Sequence, residues 1–170
     1  LPQVQAIRDS LDNDLIVIVV KEREYPDALR MLNKKPDLVV CDSQVVYKMV
    51  ADPPDDVPCT TFSILFSRLK GDFAEEVRGA AEIDNIEEGD KILIAEACSH
   101  HSLEDDIGKV KIPRWLRQYL GFDVQIDFCN GRDYPQNLSE YKLIIHCGSC
   151  MITRTEKLNR IDAAKQVNVP

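Results

Sequence analysis

The hydrophobic positions fall into short runs separated by polar, proline-containing and acidic stretches. Leu15-Ile-Val-Ile-Val-Val20 is a continuous β-branched run, too unbroken for a half-exposed strand, and predicts a strand buried on both faces of a parallel sheet. Next comes a helix that begins at Glu24-Tyr-Pro26 and carries Ala28, Leu29 and Leu32 at helical spacing. Pro26 suits its first turn and Pro36 stops it. Leu38-Val-Val-Cys41 predicts a second strand, and Val45, Val46 and Met49 the apolar face of a second helix. Strand, helix, strand, helix is the rhythm of a small α/β layer joined by crossovers.

Pro53 and Pro54 break the chain in an acidic loop. Thr60-Thr61-Phe62-Ser63 supplies helix caps, and Ile64, Leu65, Phe66 and Leu69 predict a strongly apolar helix, followed by another from about Asp72 through Ala81. The apolar density over Phe62–Leu69 exceeds what a unit of this size buries by itself. Part of it, or the edge of the short sheet, is therefore expected to form a subunit interface. The second half repeats the rhythm. Lys91–Ala95, Val124–Phe128 and Leu143–Ile145 predict strands. Trp115, Leu116 and Leu120 predict a helix ended by Gly121, and a charged amphipathic helix runs from about Thr153 to Val167. The expected fold class is α/β, as two small two-layer or three-layer units with short parallel sheets and crossover helices.

Charge sharpens the division. Residues 1–89 hold 10 basic and 18 acidic side chains, whereas residues 90–170 hold 11 of each. All three histidines and four of the six cysteines lie in the neutral part. An acidic unit over 1–89 and a Cys/His unit over 90–170 are expected, parted at Glu87-Glu88-Gly89-Asp90. A formal net charge of −8 argues against a nucleic-acid partner, because phosphate binding draws on clustered Lys and Arg. The longest apolar run is six residues, far short of the roughly 20 a membrane helix needs. No basic-then-apolar leader follows Leu1, so the chain is read as a cytoplasmic piece of something longer.

The chemistry concentrates in Cys98-Ser-His100-His101 and His146-Cys147-Gly-Ser-Cys150. Each follows a strand candidate, so in one parallel sheet both emerge at its carboxyl edge, where α/β folds place ligands. A tight Cys-x-x-Cys turn converges two thiolates on one metal, and Gly148 lets its backbone approach sulfur. Every histidine lies within three positions of one of these cysteines, a placement that buried structural cysteines do not require.

Three readings fit the spacing: a structural zinc site from Cys98, Cys147, Cys150 and one histidine; a redox dithiol, since strand–Cys-Gly-Ser-Cys–helix is a thioredoxin-like layout; and an iron–sulfur cluster on three cysteines with an exchangeable fourth ligand. The dithiol reading leaves Cys98-x-His100 unexplained. Spacing does not separate zinc from iron. His100, His146, water, or a nearby carboxylate such as Glu104 or Asp105 could fill a fourth position. Cys41, Cys59 and Cys129 stand apart and read as structural. No GxxxxGK[ST] segment cradles a triphosphate, so this chain is not expected to be an enzyme.

Cys98-x-His100 and His146-Cys147-x-x-Cys150, with 45 residues between the two histidines, resemble the cluster signature of HydF, the maturation GTPases of [FeFe]-hydrogenase. The resemblance extends to Ala6-Ile-Arg-Asp9, Pro36–Val40 with Asp42-Ser-Gln44, Phe62-Ser-Ile-Leu65 with Lys70-Gly-Asp72, Gly89-Asp-Lys91, Glu96-Ala-Cys98, Asp106-Ile-Gly108 and Lys111-Ile-Pro-Arg-Trp115. It covers essentially the whole chain. It implies a dimerisation domain over 1–89, forming a homodimer, and most of a cluster domain over 90–170, without the GTPase domain of full-length members. It further implies a [4Fe–4S] cluster on Cys98, Cys147 and Cys150. The implied role is a scaffold that takes a diiron precursor from radical-SAM maturases and hands it to apo-[FeFe]-hydrogenase.

Overall fold

The computed structural model describes residues 2–51, 56–96, 106–131, 133–149 and 151–170. It is an α/β protein of two compact units, Leu1–Leu65 and Phe66–Pro170.

In the first unit, α1 (Pro2–Asp12) leads to α2 (Tyr25–Met31), β1 (Val39–Cys41), α3 (Val46–Ala51) and β2 (Cys59–Thr61). Pro26 sits in the first turn of α2, and Leu32 already has extended backbone, so this helix ends well before Pro36. Asp42 accepts from the Gln44 N–H at 3.0 Å and turns the chain out of β1 into α3. β1 and β2 run parallel with Val39 opposite Cys59 and Cys41 opposite Thr61, the crossover arrangement expected. Cys41 and Cys59 are thus offset by two residues along adjacent strands. The Thr61 hydroxyl accepts from the Ile64 N–H at 3.3 Å and caps α4 (Phe62–Lys70).

Two expectations change here. Leu15–Val20 forms no strand, and its side chains other than Val17 are exposed, Ile16 to 92%. A hydrophobic run specifies burial against something, but a strand also needs a neighbouring backbone to pair with. Cys59–Thr61, by contrast, is a strand where the sequence suggested only helix caps.

In the second unit, the Asp72 carboxylate accepts from the Glu75 N–H at 3.2 Å and caps α5 (Phe73–Ala81). β3 (Lys91–Glu96), β4 (Gln125–Asn130) and β5 (Leu143–His146) form a parallel sheet in the order β4-β3-β5. Being central and covered on both faces, β3 reads as a continuous apolar run, and Ile92, Leu93 and Ile94 are almost wholly buried. Alternation sends its side chains to opposite sides. Ile92 joins Ile86, Leu116, Val124 and Leu143, while Leu93 and Ala95 join Cys129, Leu138, Tyr141, Ala164 and Val169. Each large side chain buried this way contributes about 1.5–3 kcal/mol. α6 (Ile112–Leu120) ends at Gly121, whose φ of +79° and N–H bond to the Arg117 carbonyl at 3.0 Å close the helix. α7 (Arg154–Gln166) starts where the Thr153 hydroxyl accepts from the Glu156 N–H at 3.2 Å.

The acidic stretch at Glu87–Asp90 is a turn within the second unit. The Glu87 N–H donates to the Asp90 carboxylate at 2.8 Å, and Ile83 and Ile86 before it pack around Ile92. The compact units divide earlier, inside α4.

Candidate functional site

The parallel register brings the carboxyl ends of β3 and β5 together. Ala95 pairs with His146, and the Cys147 N–H donates to the Ala95 carbonyl at 3.1 Å. Glu96 and Cys147 therefore stand side by side where the two strands stop. Cys98 is two residues beyond Glu96, and it lies outside the described residues together with His100, Glu104, Asp105 and Cys150. Of the expected ligands, the structure describes His146 and Cys147. Among the described residues no three His, Cys, Asp or Glu side chains gather as a metal site.

After β5 the chain turns sharply. Gly148 (φ +39°) and Ser149 (φ +51°) are both left-handed, and the Ser149 N–H donates back to the Cys147 carbonyl. Glycine takes this conformation without cost, whereas serine takes it only when held. Ser149 is 1% exposed, and its hydroxyl has no hydrogen-bond partner among the described residues. On the near side of α7, the Lys70 ammonium donates to the carbonyls of Ser149 at 3.3 Å and Ile152 at 3.0 Å.

His146 is held by a stack. Its imidazole lies 6.0 Å from the Tyr134 ring at 23°, and the Arg160 guanidinium covers that ring at 5.0 Å while donating to the Gly131 carbonyl. The Nδ1 atom is shut off from solvent and has no hydrogen-bond partner among the described residues. Burial, together with the charges of Lys157 and Arg160, pushes the imidazole pKa down to about 3, so the ring is neutral near pH 7. A neutral imidazole keeps a lone pair available for a metal. Lys157 is buried and pairs with Glu76 at 2.5 Å; Arg160 is buried and pairs with Glu156 at 3.0 Å.

The neighbouring strand end carries Glu96, which is 5% exposed. Burial, and then the nearby Asp106, raise its carboxyl above the ordinary range, against the opposing pull of Lys109 at 3.7 Å. Gly108 packs so closely that a Cβ there would collide with Oε1 of Glu96. Gly108 lies in Ile107–Lys111, a π-helical turn leading into α6.

These residues fit a thiolate-bound metal or iron–sulfur group. A cysteine sits at a shared strand edge, an enclosed imidazole nitrogen and a buried hydroxyl have no hydrogen-bond partner among the described residues, Lys70 reaches the turn, and the charges of Lys157 and Arg160 lie near His146. The sequence alone did not point to Lys70, Tyr134, Lys157 or Arg160. Lys157 and Arg160 sit in a strongly charged helix with no separated apolar face, where the sequence gives no sign of which charges are buried.

The hydrogen maturase F dimerization-domain model matches residues 1–71, and the hydrogen maturase F tetramerization-domain model matches residues 74–170. The chain belongs to the hydrogen maturase F family. Membership places it in hydrogenase maturation, and both matched domains are named for self-association. Neither matched model is a GTPase domain. No curated protein matches the chain.

Proposed function

We propose that the second unit binds a [4Fe–4S] cluster through Cys98, Cys147 and Cys150, and that the protein is a scaffold and carrier in assembly of the [FeFe]-hydrogenase metal centre. The observation that carries this reading is the pairing of Cys147 with Ala95. It sets the Cys147 turn at the same sheet edge from which the chain runs on toward Cys98. When bound, such a cluster offers an iron not locked by cysteine, at which cargo or an exchangeable ligand is held. His146 is the described candidate for that position, and His100 the other. The protein's own contribution is an imidazole whose Nδ1 is closed off from solvent, a preformed turn and basic side chains that favour thiolates. On this reading the cargo is a diiron precursor made by radical-SAM maturases and delivered to apo-hydrogenase in the cytoplasm. GTP hydrolysis belongs to a separate domain of full-length members, since this chain has no phosphate-binding GxxxxGK[ST] segment.

Self-association through the first unit completes the proposal. Leu15, Ile16, Ile18, Val19 and Val20 form the exposed apolar segment that a second copy would cover. Among the described residues no helix is long and apolar enough to cross a membrane, which leaves a protein partner as the occupant we propose.

Anaerobic reconstitution with iron and sulfide tests the cluster. About four iron and four sulfide per chain are expected, with a brown absorption lost in Cys147→Ala. Tightly held zinc that iron does not displace would overturn the reading. An EPR spectrum unchanged in both His100→Ala and His146→Ala would remove histidine from the fourth position.

A further inference from the structure

Lys70 stands outside the expected ligand set, yet its ammonium reaches the turn that carries it. Its two carbonyl partners, Ser149 and Ile152, bracket the position of Cys150. The path of the side chain is fixed from the other end as well. Phe66 is buried at 4% exposure, and Lys70 Nζ lies 5.1 Å from that ring. Ser149 holds a left-handed backbone that a non-glycine residue keeps only when held, and the Lys70 ammonium is bonded to its carbonyl.

We propose that Lys70 is a positioning residue for the metal-binding turn. By holding the Ser149 and Ile152 carbonyls, it keeps the Cys147-Gly148-Ser149 turn in one conformation before metal arrives. Its charge also offsets the negative charge that thiolates bring. A metal site whose turn is already formed loses less conformational entropy on binding, and outer-shell partners of this kind are worth about 10- to 100-fold in metal affinity. The inference rests on the reading of this turn as a metal site. It concerns a side chain that, being neither Cys nor His, would not be chosen as a ligand.

The test is anaerobic titration of the apoprotein with Co2+, followed by its thiolate-to-metal absorption, in wild type, Cys147→Ala, Lys70→Met and Lys70→Arg. Methionine keeps the apolar stem over Phe66 and removes the charge and the donors. Expected is loss of the band in Cys147→Ala, 10- to 100-fold weaker binding in Lys70→Met at an unchanged melting temperature, and recovery in Lys70→Arg. Should Lys70→Met fail to fold, Lys70→Gln serves in its place, with the same direction expected. In reconstituted protein the midpoint potential should move negative in the methionine variant and return in the arginine variant, because a nearby cation favours the reduced, more negative state. Wild-type affinity in Lys70→Met, with the band still lost in Cys147→Ala, overturns the role of Lys70 and leaves the site standing. Weakened binding that Lys70→Arg does not restore, with a lowered melting temperature, also overturns it. No thiolate-bound Co2+ in wild type overturns both.

Discussion

The two units handle hydrophobic surface in opposite ways. The second closes a core on both faces of its sheet, with Ile92, Leu93 and Ile94 almost inaccessible. In the first, Met49, Val57 and Thr61 are the buried side chains among the described residues, while Leu15–Val20 lies open to solvent. A three-stranded sheet with helices on either side satisfies its own backbone and covers its own strands. A two-stranded sheet does neither fully. The comparison teaches that the second unit is a self-sufficient platform for a site, and that the first is built to be finished by something else.

The sharpest way to break that contrast is at the centre of β3. Leu93→Ala should cost about 2–5 kcal/mol in denaturant unfolding monitored at Trp115, since the cavity opens in a packed core. A loss well under 1 kcal/mol would mean the second core is no better closed than the first. Next in size is the exposed run. Ile16→Asp with Ile18→Asp should weaken self-association at least tenfold in light scattering, toward the 19.3 kDa monomer, while leaving that tryptophan transition in place. Unchanged association would move the interface elsewhere.

Smaller effects sharpen the picture of the second unit. Thr153→Ala removes the hydroxyl that caps α7 and should lower stability by about 1 kcal/mol in the same unfolding experiment. Smallest is the pair of Lys91 and Asp127 at 2.8 Å, where the hydrogen bond from lysine holds the aspartate below the usual carboxylate range. A depressed folded value means the contribution is present above the unfolded carboxylate pKa and is lost as pH falls through the folded one. Asp127→Asn should therefore flatten the acid limb of stability against pH by a few tenths of a kcal/mol, as befits a partly exposed pair.

How much of this was legible in the sequence varied with the kind of signal. β3 and β5 were legible because a strand buried on both faces must be apolar throughout, and α6 because Gly121 ends it. The Cys147 turn was legible because Gly148 takes a left-handed backbone without cost. Leu15–Val20 misled because the same pattern serves a buried strand and an open apolar segment. β2 was missed because three residues, two of them threonine, carry too little periodicity to tell a strand from a cap.

The sequence by itself determined the α/β class, the family, and the cysteines and histidines available to a metal, because those depend on residue type, spacing and local periodicity. Only the tertiary structure decided that Cys147 bonds to Ala95, that His146 stacks on Tyr134 with its Nδ1 closed off from solvent, and that Lys70 reaches from α4 to the turn. Those facts join residues 12 to 82 positions apart. No local pattern encodes such pairs, since they come into being only when strands take a register and helices bury one particular face.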